Sequence, residues 1–303
     1  MAADVSAIVV AFRSAPELPA CIASLPAAAA GLDLELIVVD NASGDAAPGL
    51  VRARWPTARL IENATNRGFA AAVNQAVSEA RAPLLLLLNP DTQPAPGSLA
   101  RLAAALAADT RISIVGPRLL HSDGRPQPSA WRDPSPRALA FQALMLDHLF
   151  PGSAAVAAGL RDGPPQDVDW LSGACLLLRR ETYAALGGLD ERFFLYFEDA
   201  DLCRRARAAG GRVVIVPEAR VSHALGASAF RDRRACVLHF HESRRLFLRK
   251  HYTGPAGSLR LALHWGGVLV RIVAYATQGF LLGRREHRAE AGHHLAVLRG
   301  GQA

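Results

Sequence analysis

Five consecutive leucines, Leu84 to Leu88, run straight into Asn89-Pro90-Asp91-Thr92. A wholly apolar run of that length, ended by a proline-fixed turn, reads as a strand buried on both faces. Strands of that kind belong to α/β sheets, and the carboxyl edge of an open α/β sheet is where ligands bind. Asp91 stands at that edge. A lone carboxylate there suits a Mg2+ or Mn2+ ion that leaves most of its coordination to water and a substrate diphosphate. The plain alternative is a strand-end turn in which Asp91 caps the next helix.

The rest of the first half repeats the pattern. Apolar runs at Val5 to Phe12, Leu34 to Asp40 and Arg59 to Glu62 alternate with helix-periodic segments at Ser14 to Leu25, Ala46 to Arg54 and Ala70 to Ala80; a helix over Ser98 to Ala108 and a strand over Ile112 to Val115 follow Leu88. That alternation predicts a mostly parallel, doubly wound sheet flanked by helices. Gly116 to Asp169 is rich in proline and glycine and reads as a variable insertion, either a lid or an acceptor-side excursion. Regular structure resumes as one strand from Trp170, a helix over Arg180 to Leu186, a helix opening at Phe197-Glu198-Asp199, and a strand over Arg212 to Val216. The expected organisation is an α/β domain over 1–250 and a basic helical extension over 251–303.

With 303 residues, half of them apolar, the chain can bury a sizeable core. Lysine and arginine outnumber aspartate and glutamate by 34 to 27, much of the excess beyond residue 200. Aromatic residues are only 6% of the chain, so the basic and aromatic interleaving that grips nucleic acid is missing; acidic lipid or a phosphorylated substrate fits the charge better. Cys21, Cys175, Cys203 and Cys236 form no CxxC pair and read as buried thiols of a reducing compartment. The first residues carry no basic, apolar, small-residue export pattern, which predicts a cytoplasmic protein. No dinucleotide glycine fingerprint and no Walker lysine motif occurs, so dehydrogenase and P-loop readings fail.

Three further positions carry chemistry. Leu36-Ile-Val-Val-Asp40-Asn41 is a second apolar strand ending in a carboxylate, able to accept hydrogen bonds from a base imide or a ribose hydroxyl, or else to cap a helix. Glu198, Asp199 and Asp201 crowd one helix N-terminus, which favours their ionised forms. Glu198 and Asp201 share a face, while Asp199 points elsewhere and would serve as a general base if aimed at a bound hydroxyl. His223 follows the strand over 212–216 after a short loop; a single histidine there is a structural residue or a ligand.

Together, Ile8-Val-Val-Ala11-Phe, Val38-Val-Asp40-Asn41-Ala-Ser43, Asn66-Arg-Gly-Phe69, Leu87-Leu-Asn89-Pro90-Asp91, Trp170-Leu-Ser-Gly173 and Phe194-Leu-Tyr-Phe-Glu198-Asp199-Ala-Asp201 resemble the family 2 glycosyltransferases of GT-A fold, in particular the bacterial rhamnosyltransferase-like group. The resemblance spans roughly residues 5 to 250. It implies an inverting, metal-dependent transfer of a sugar, rhamnose from dTDP-rhamnose as the best match, to a cell-envelope or O-antigen glycan. By position, Ala11, Asp40, Asn66 and Asn89 fall on the nucleotide side, Asp91 and His223 on the Mg2+ or Mn2+ ion, Asp199 on the general base, and Trp170 and Glu198 on the acceptor side. Asn89 stands where many relatives have aspartate. The resemblance also implies a nucleotide-diphosphate sugar as donor and a glycan or polyprenyl-diphosphate-linked acceptor. Two competing readings are a nucleotidyltransferase that makes sugar nucleotides, which Arg13-Ser14-Ala15-Pro16 does not equip for a triphosphate, and a degenerate glycan-binding protein of the same fold.

The extension is long enough to span a bilayer over Leu259 to Leu282, but His264, Arg271, Gln278 and Arg285 recur every seven residues as one polar stripe. An arginine at mid-membrane costs about 2.5–3.5 kcal/mol on the insertion scale. The stripe therefore predicts a helix lying at the inner face of the cell membrane as a peripheral contact, or one packed on the catalytic domain or a homodimer partner.

Overall fold

The computed structural model describes residues 3–146, 162–224 and 232–300. In chain order the elements are β1 (Val5–Ala11), α1 (Leu18–Ala29), β2 (Leu34–Asp40), α2 (Ala47–Arg54), β3 (Arg59–Glu62), α3 (Phe69–Glu79), β4 (Leu84–Leu88), β5 (Thr92–Pro94), α4 (Ser98–Ala108), β6 (Ile112–Leu120), β7 (Ala130–Trp131), α5 (Pro136–Ala143), β8 (Gln166–Asp167), β9 (Trp170–Leu171), β10 (Cys175–Arg179), α6 (Arg180–Ala185), α7 (Glu198–Ala208), β11 (Arg212–His223), α8 (Arg233–His251), α9 (Gly254–Leu281) and α10 (Arg285–Leu298).

The larger sheet runs β3-β2-β1-β4-β10-β6-β11-β5, with β8 on the side of β11. β1 through β4 pair in parallel, as the alternating pattern predicts, and β6 pairs in parallel with β11. The sheet is nonetheless mixed, because β10 runs antiparallel to both β4 and β6. The order reverses at β1, which has β2 on one side and β4 on the other, so a crevice opens at the carboxyl ends of those strands.

The leucine run is buried on both faces. Leu86 and Leu88 join Val5, Ala7, Val9 and the inner faces of α1 and α4, while Leu85 and Leu87 join Ile8, Val10 and residues of α3 and α7. Burying one such side chain is worth about 1.5–3 kcal/mol, so this strand anchors both layers. Its rigidity fixes where Asn89-Pro90-Asp91 leaves the sheet.

Several boundaries differ from expectation. α1 begins at Leu18, since Ser14 to Glu17 form a turn in which the Leu18 amide donates to Ser14 O at 3.0 Å. The segment from Trp170 is two strands, β9 and β10, broken at Ser172-Gly173-Ala174; β9 leaves the main sheet to pair with β7. β11 extends past Val216 through a bulge to His223, so the histidine lies within a strand and not after a loop. The expected insertion over 116–169 starts as sheet: Gly116 to Leu120 complete β6, and β7, α5 and β8 follow. Residues 147–161 of it lie outside the described residues, so its reading as a lid is not addressed.

Contacts divide the chain into two compact units. One holds residues 3–132, 162–194 and 198–224; the other holds 133–146, 195–197 and 232–300. In the second unit α8, α9 and α10 pack on one another and α5 packs on α9. α9 is long and apolar enough to cross a membrane by length and composition. It ends at Leu281, and Gly283 turns the chain with φ +63° before α10, so Arg285 does not continue the stripe of α9.

Candidate active site

Three strand ends meet at the crevice of the first unit. β2 delivers Asp40 directly beside Ala11 of β1. Asp40 is buried; its Oδ2 accepts a hydrogen bond from the Ser43 amide at 3.3 Å, and its Oδ1 is buried with no partner among the described residues. A carboxylate oxygen held that way carries an unrecovered desolvation cost, which a ligand N–H or O–H would offset. The Ala11 carbonyl is already taken by the Asn41 amide at 2.8 Å and the Ser43 hydroxyl at 3.2 Å.

Asn41, which sequence reasoning passed over as a site residue, organises this edge. Its Nδ2 donates to Asn66 Oδ1 at 2.8 Å and to the Gly68 carbonyl at 3.1 Å, and its Oδ1 accepts from Asn63 Nδ2 at 3.0 Å and the Arg67 amide at 3.1 Å. Asn66 Oδ1 also accepts from the Gly68 amide at 3.0 Å, so Asn66 braces the loop ahead of α3. At the end of β4, the Asn89 amide donates to the Ala174 carbonyl, while the Asn89 carbonyl accepts from the Thr92 amide at 3.2 Å and the Thr92 hydroxyl at 2.6 Å. That turn aims Asp91.

Asp91 meets His223. The pairing of β5 with β11 sets His223 opposite Thr92, the Ala224 amide donates to the Asp91 carbonyl, and His223 Nε2 lies 3.3 Å from Asp91 Oδ1. On the other side of the ring, Nδ1 is 2.9 Å from Gln127 Oε1. The Gln127 amide nitrogen faces the His223 carbonyl at 3.4 Å, an acceptor, which places Oε1 toward the ring. An amide oxygen can only accept, so Nδ1 carries a proton toward Gln127, and Nε2, beside the carboxylate, is the ring nitrogen left to face a ligand. One imidazole nitrogen and one carboxylate oxygen that close, with the ring held from behind, fit a divalent cation that takes its remaining ligands from elsewhere. Among the described residues no group of three or more His, Cys, Asp or Glu side chains is placed to hold a metal ion. The protein's share of any ion here is these two groups, with Gln127 behind them. Gln127 lies 96 residues from His223 in the chain, in a proline-rich segment without a local motif.

The acidic cluster separates into three roles. Asp201 is fully buried and paired with Arg205 at 2.7 Å; Arg205 also donates to the carbonyls of Leu186 and Gly188, so this pair ties α7 to the preceding loop. Asp199 remains partly accessible. Its Oδ2 accepts from the Gly173 amide at 2.7 Å and its Oδ1 from the Ala200 amide at 2.7 Å. A Cβ at position 173 would sit 3.2 Å from Asp199 Oδ2, so the glycine permits this approach. Burial raises the Asp199 pKa, against which both amides act. Glu198 is buried and its Oε2 has no partner among the described residues; burial first, and then the charge on Asp199, push its carboxyl well above the usual range. Of the two carboxyls, Glu198 is the one pushed further toward its neutral form, and Asp199 the one whose ionised form N–H donors favour. Just before them, Tyr196 and Phe197 hold φ of +69° and +65°, a conformation that side-chain-bearing residues rarely adopt. Strain of that kind gathers at functional sites.

Trp170 stacks on Trp131, ring centroids 4.2 Å apart and planes 14° from parallel, across the two-stranded β7–β9 sheet. Sequence reasoning singled out Trp170 but not Trp131, whose partner becomes evident only in the pairing. Cys21, Cys175 and Cys203 are buried free thiols, and burial raises the pKa of each; Cys236 is only half-buried.

Residues 6–161 match the model of glycosyl transferase family 2. The chain is 32% identical to the N-acetylglucosaminyl-diphospho-decaprenol L-rhamnosyltransferase of Mycobacterium tuberculosis, over 82% of this chain and 84% of that protein. The chain belongs to glycosyltransferase family 2. Within the family it falls in the rhamnosyltransferase-like group, and it is a glycosyltransferase. A hexosyltransferase of low-salt glycan biosynthesis, Agl10 of Haloferax volcanii, is 25% identical over 67% of this chain and 62% of its own length. Two solved structures share the fold: the mannosyltransferase PcManGT of Pyrobaculum calidifontis, in complex with GDP-Man and Mn2+ (TM-score 0.55, 18% identity, 99% of this chain and 87% of that one), and TarS 1–349 of S. aureus with UDP-GlcNAc (TM-score 0.56, 15% identity, 97% and 80%). The expected GT-A architecture with a helical C-terminal region is thereby met.

Proposed function

We propose that this family 2 glycosyltransferase moves rhamnose from dTDP-rhamnose onto an N-acetylglucosaminyl-diphospho-polyprenol, or a closely related envelope glycan, by a single displacement with inversion. The observation that carries a transferase of this kind is the Asp91–His223 pair at the mouth of β4, 3.3 Å apart and oriented by Gln127, on the same sheet edge as Asp40 with its buried oxygen that has no partner among the described residues. The donor and acceptor are suggested by the mycobacterial relative, whose name states both the rhamnosyl group and the decaprenol-linked substrate.

Asp40 accepts a hydrogen bond from the base or ribose of the donor, and the loop braced by Asn41 and Asn66, with the backbone at Ala11 and Asn89, shapes that pocket. Asp91 and His223 would hold Mg2+ or Mn2+, which when bound would supply charge neutralisation to the departing diphosphate. Asp199 removes the proton of the acceptor hydroxyl while that oxygen attacks the anomeric carbon from the face opposite the diphosphate. The two amides on Asp199 favour its ionised form until the proton arrives, and Glu198, pushed further toward its neutral form, does not compete for it. Trp170, backed by Trp131, offers a flat apolar face to the acceptor sugar. No covalent intermediate is required. A polyprenyl-linked acceptor would bring this work to the inner face of the cell membrane.

The test is a donor screen. The purified chain, with N-acetylglucosaminyl-diphospho-polyprenol and Mg2+ or Mn2+, should consume dTDP-rhamnose in preference to UDP and GDP sugars and lose transfer with EDTA. Preference for another nucleotide sugar, or transfer indifferent to EDTA, would overturn the donor or the metal assignment respectively.

A further inference from the structure

In α9 the polar residues His264 and Arg271 turn inward, whereas Gln278 near its end is exposed. His264 is only 3% exposed, its ring 5.2 Å from that of His241, which in turn lies 3.2 Å from His294, nitrogen to nitrogen. Arg271 donates to the Gln142 carbonyl at 2.9 Å, and Gly267 between them lets α5 come close, since a Cβ there would stand 3.0 Å from Ala143 Cα. Residues two apart on a helix point about 200° away from each other. Positions 266, 273 and 280 are therefore opposite 264, 271 and 278, and with 259, 262, 269 and 276 they form the outer face. That face is apolar: Leu259, Leu269, Val273 and Phe280 are 49%, 53%, 65% and 80% exposed, and Leu281 and Leu282 follow at 71% and 59%. A contiguous exposed stripe of this kind marks a surface that binds something.

Charge selects the occupant. Residues 232–300 contain twelve arginines and lysines against four aspartates and glutamates, a net of +8, while the whole chain carries +7, so the remainder sums to −1. Arg284 and Arg285, both exposed, directly follow the exposed Leu281-Leu282. A second copy would bring one strongly positive surface against another; an anionic bilayer offers acyl chains and the opposite charge together. Crossing the bilayer is a different matter. It would strip Arg271 of its carbonyl partner and carry both Arg271 and His264 into hydrocarbon.

We propose that α9 docks flat on an anionic membrane, its Leu259–Phe280 face in the acyl boundary and Arg284 and Arg285 among the head groups, without spanning. This docking fits the polyprenyl-linked acceptor proposed above, yet it is tested with no acceptor present, so its failure and the failure of that reading are distinguishable.

The experiment is co-sedimentation of the full chain with vesicles of phosphatidylcholine alone or with 30% phosphatidylglycerol, at low and high salt. Binding should need the anionic lipid, weaken with salt, and fall at least tenfold in Val273→Ser/Phe280→Ser and in Arg284→Gln/Arg285→Gln. These positions are exposed, so circular dichroism and dTDP-rhamnose hydrolysis should match the parent. Equal binding to neutral vesicles, or undiminished binding by both variants, would overturn the proposal. So would a Val273→Ser/Phe280→Ser variant that turns a dimer into a monomer while binding vesicles as before, which would assign the face to a second copy. Retention in vesicles through alkaline carbonate extraction would likewise overturn it, in favour of spanning.

Discussion

The catalytic unit and the C-terminal helical unit both bury ionisable groups, but they do so to opposite ends. In the first, Asp40, Glu198 and Asp199 stand at strand and helix ends by the crevice, and oxygens of Asp40 and Glu198 have no partner among the described residues. In the second, His241, His264 and His294 are buried between α8, α9 and α10; His241 bonds His294 through one nitrogen, its other nitrogen and both nitrogens of His264 have no hydrogen-bond partner among the described residues, and leucine and phenylalanine face out. Both arrangements carry unmet hydrogen-bonding capacity, but in the first it stands at the sheet edge, where a substrate can satisfy it. The second takes up polar groups to free an apolar face. Buried polarity alone therefore does not mark an active site; what separates the two regions is whether the groups open on a crevice.

The largest effect expected from this contrast is at Asp199. Asp199→Asn should lower the transfer rate by about 10²–10⁴-fold, the usual contribution of a positioned base, with little change in dTDP binding by titration calorimetry. His264→Leu, a buried polar group of the other unit, should leave the transfer rate within about twofold of the parent. A comparable loss in both would erase the distinction.

Gln127 gives the next effect. Gln127→Leu removes the acceptor that holds His223, and a lost partner behind a metal-ligating histidine typically costs about 10–100-fold in affinity. Mn2+ binding in the presence of dTDP, followed by electron paramagnetic resonance, should weaken to that extent with dTDP affinity in the absence of metal unchanged. Unaltered Mn2+ binding would show that the ring needs no such support.

Acid should then separate the units by stability. Burial, the neighbouring histidines and the positive Arg244 and Arg271 lower His241, His264 and His294 to about 2, 3 and 4, with Arg233, Arg245, His293 and Glu290 also facing the cluster. Folded, they stay neutral where the unfolded chain would bind protons; stability is full above the ordinary histidine pKa of about 6.5 and falls as pH drops below it. Glu198 and Asp199 have the reverse sign: raised in the fold, they favour the folded state while protonated and lose that contribution as pH rises through their raised values. Between pH 7 and 5, hydrogen-exchange protection factors, which divide out the pH dependence of the intrinsic amide rate, should fall in α8–α10 and much less in β1–β4. The smallest effect is Cys236→Ser, half-buried and outside both clusters, which should shift the melting midpoint by a degree or two at most, corresponding to about 0.5 kcal/mol or less.

What could be read from the sequence was what is local or ordered along it. Leu84 to Leu88 with Asn89-Pro90-Asp91 contains its own burial pattern and its own stop, so the strand and its site-facing end were legible together, as were Asp40 and the acidic start of α7. Strand direction was not, because β10 is set antiparallel by its neighbours β4 and β6, and no property of Cys175 to Arg179 encodes that. Nor was Gln127, whose role exists only through a residue 96 positions away. The stripe His264, Arg271 was read with the correct period, yet periodicity names two faces without saying which is inward, and the usual expectation of polar residues outward was reversed where the His264 ring packs against His241 of α8 and Arg271 donates to a carbonyl of α5.

The stereochemistry of the new glycosidic bond tests the account most directly. With dTDP-rhamnose and an N-acetylglucosaminyl-diphospho-polyprenol, proton and carbon NMR of the product should show a rhamnosyl linkage of configuration opposite to that of the donor, absent when Asp199 is replaced by asparagine. Retained configuration would contradict a single displacement with Asp199 as its base.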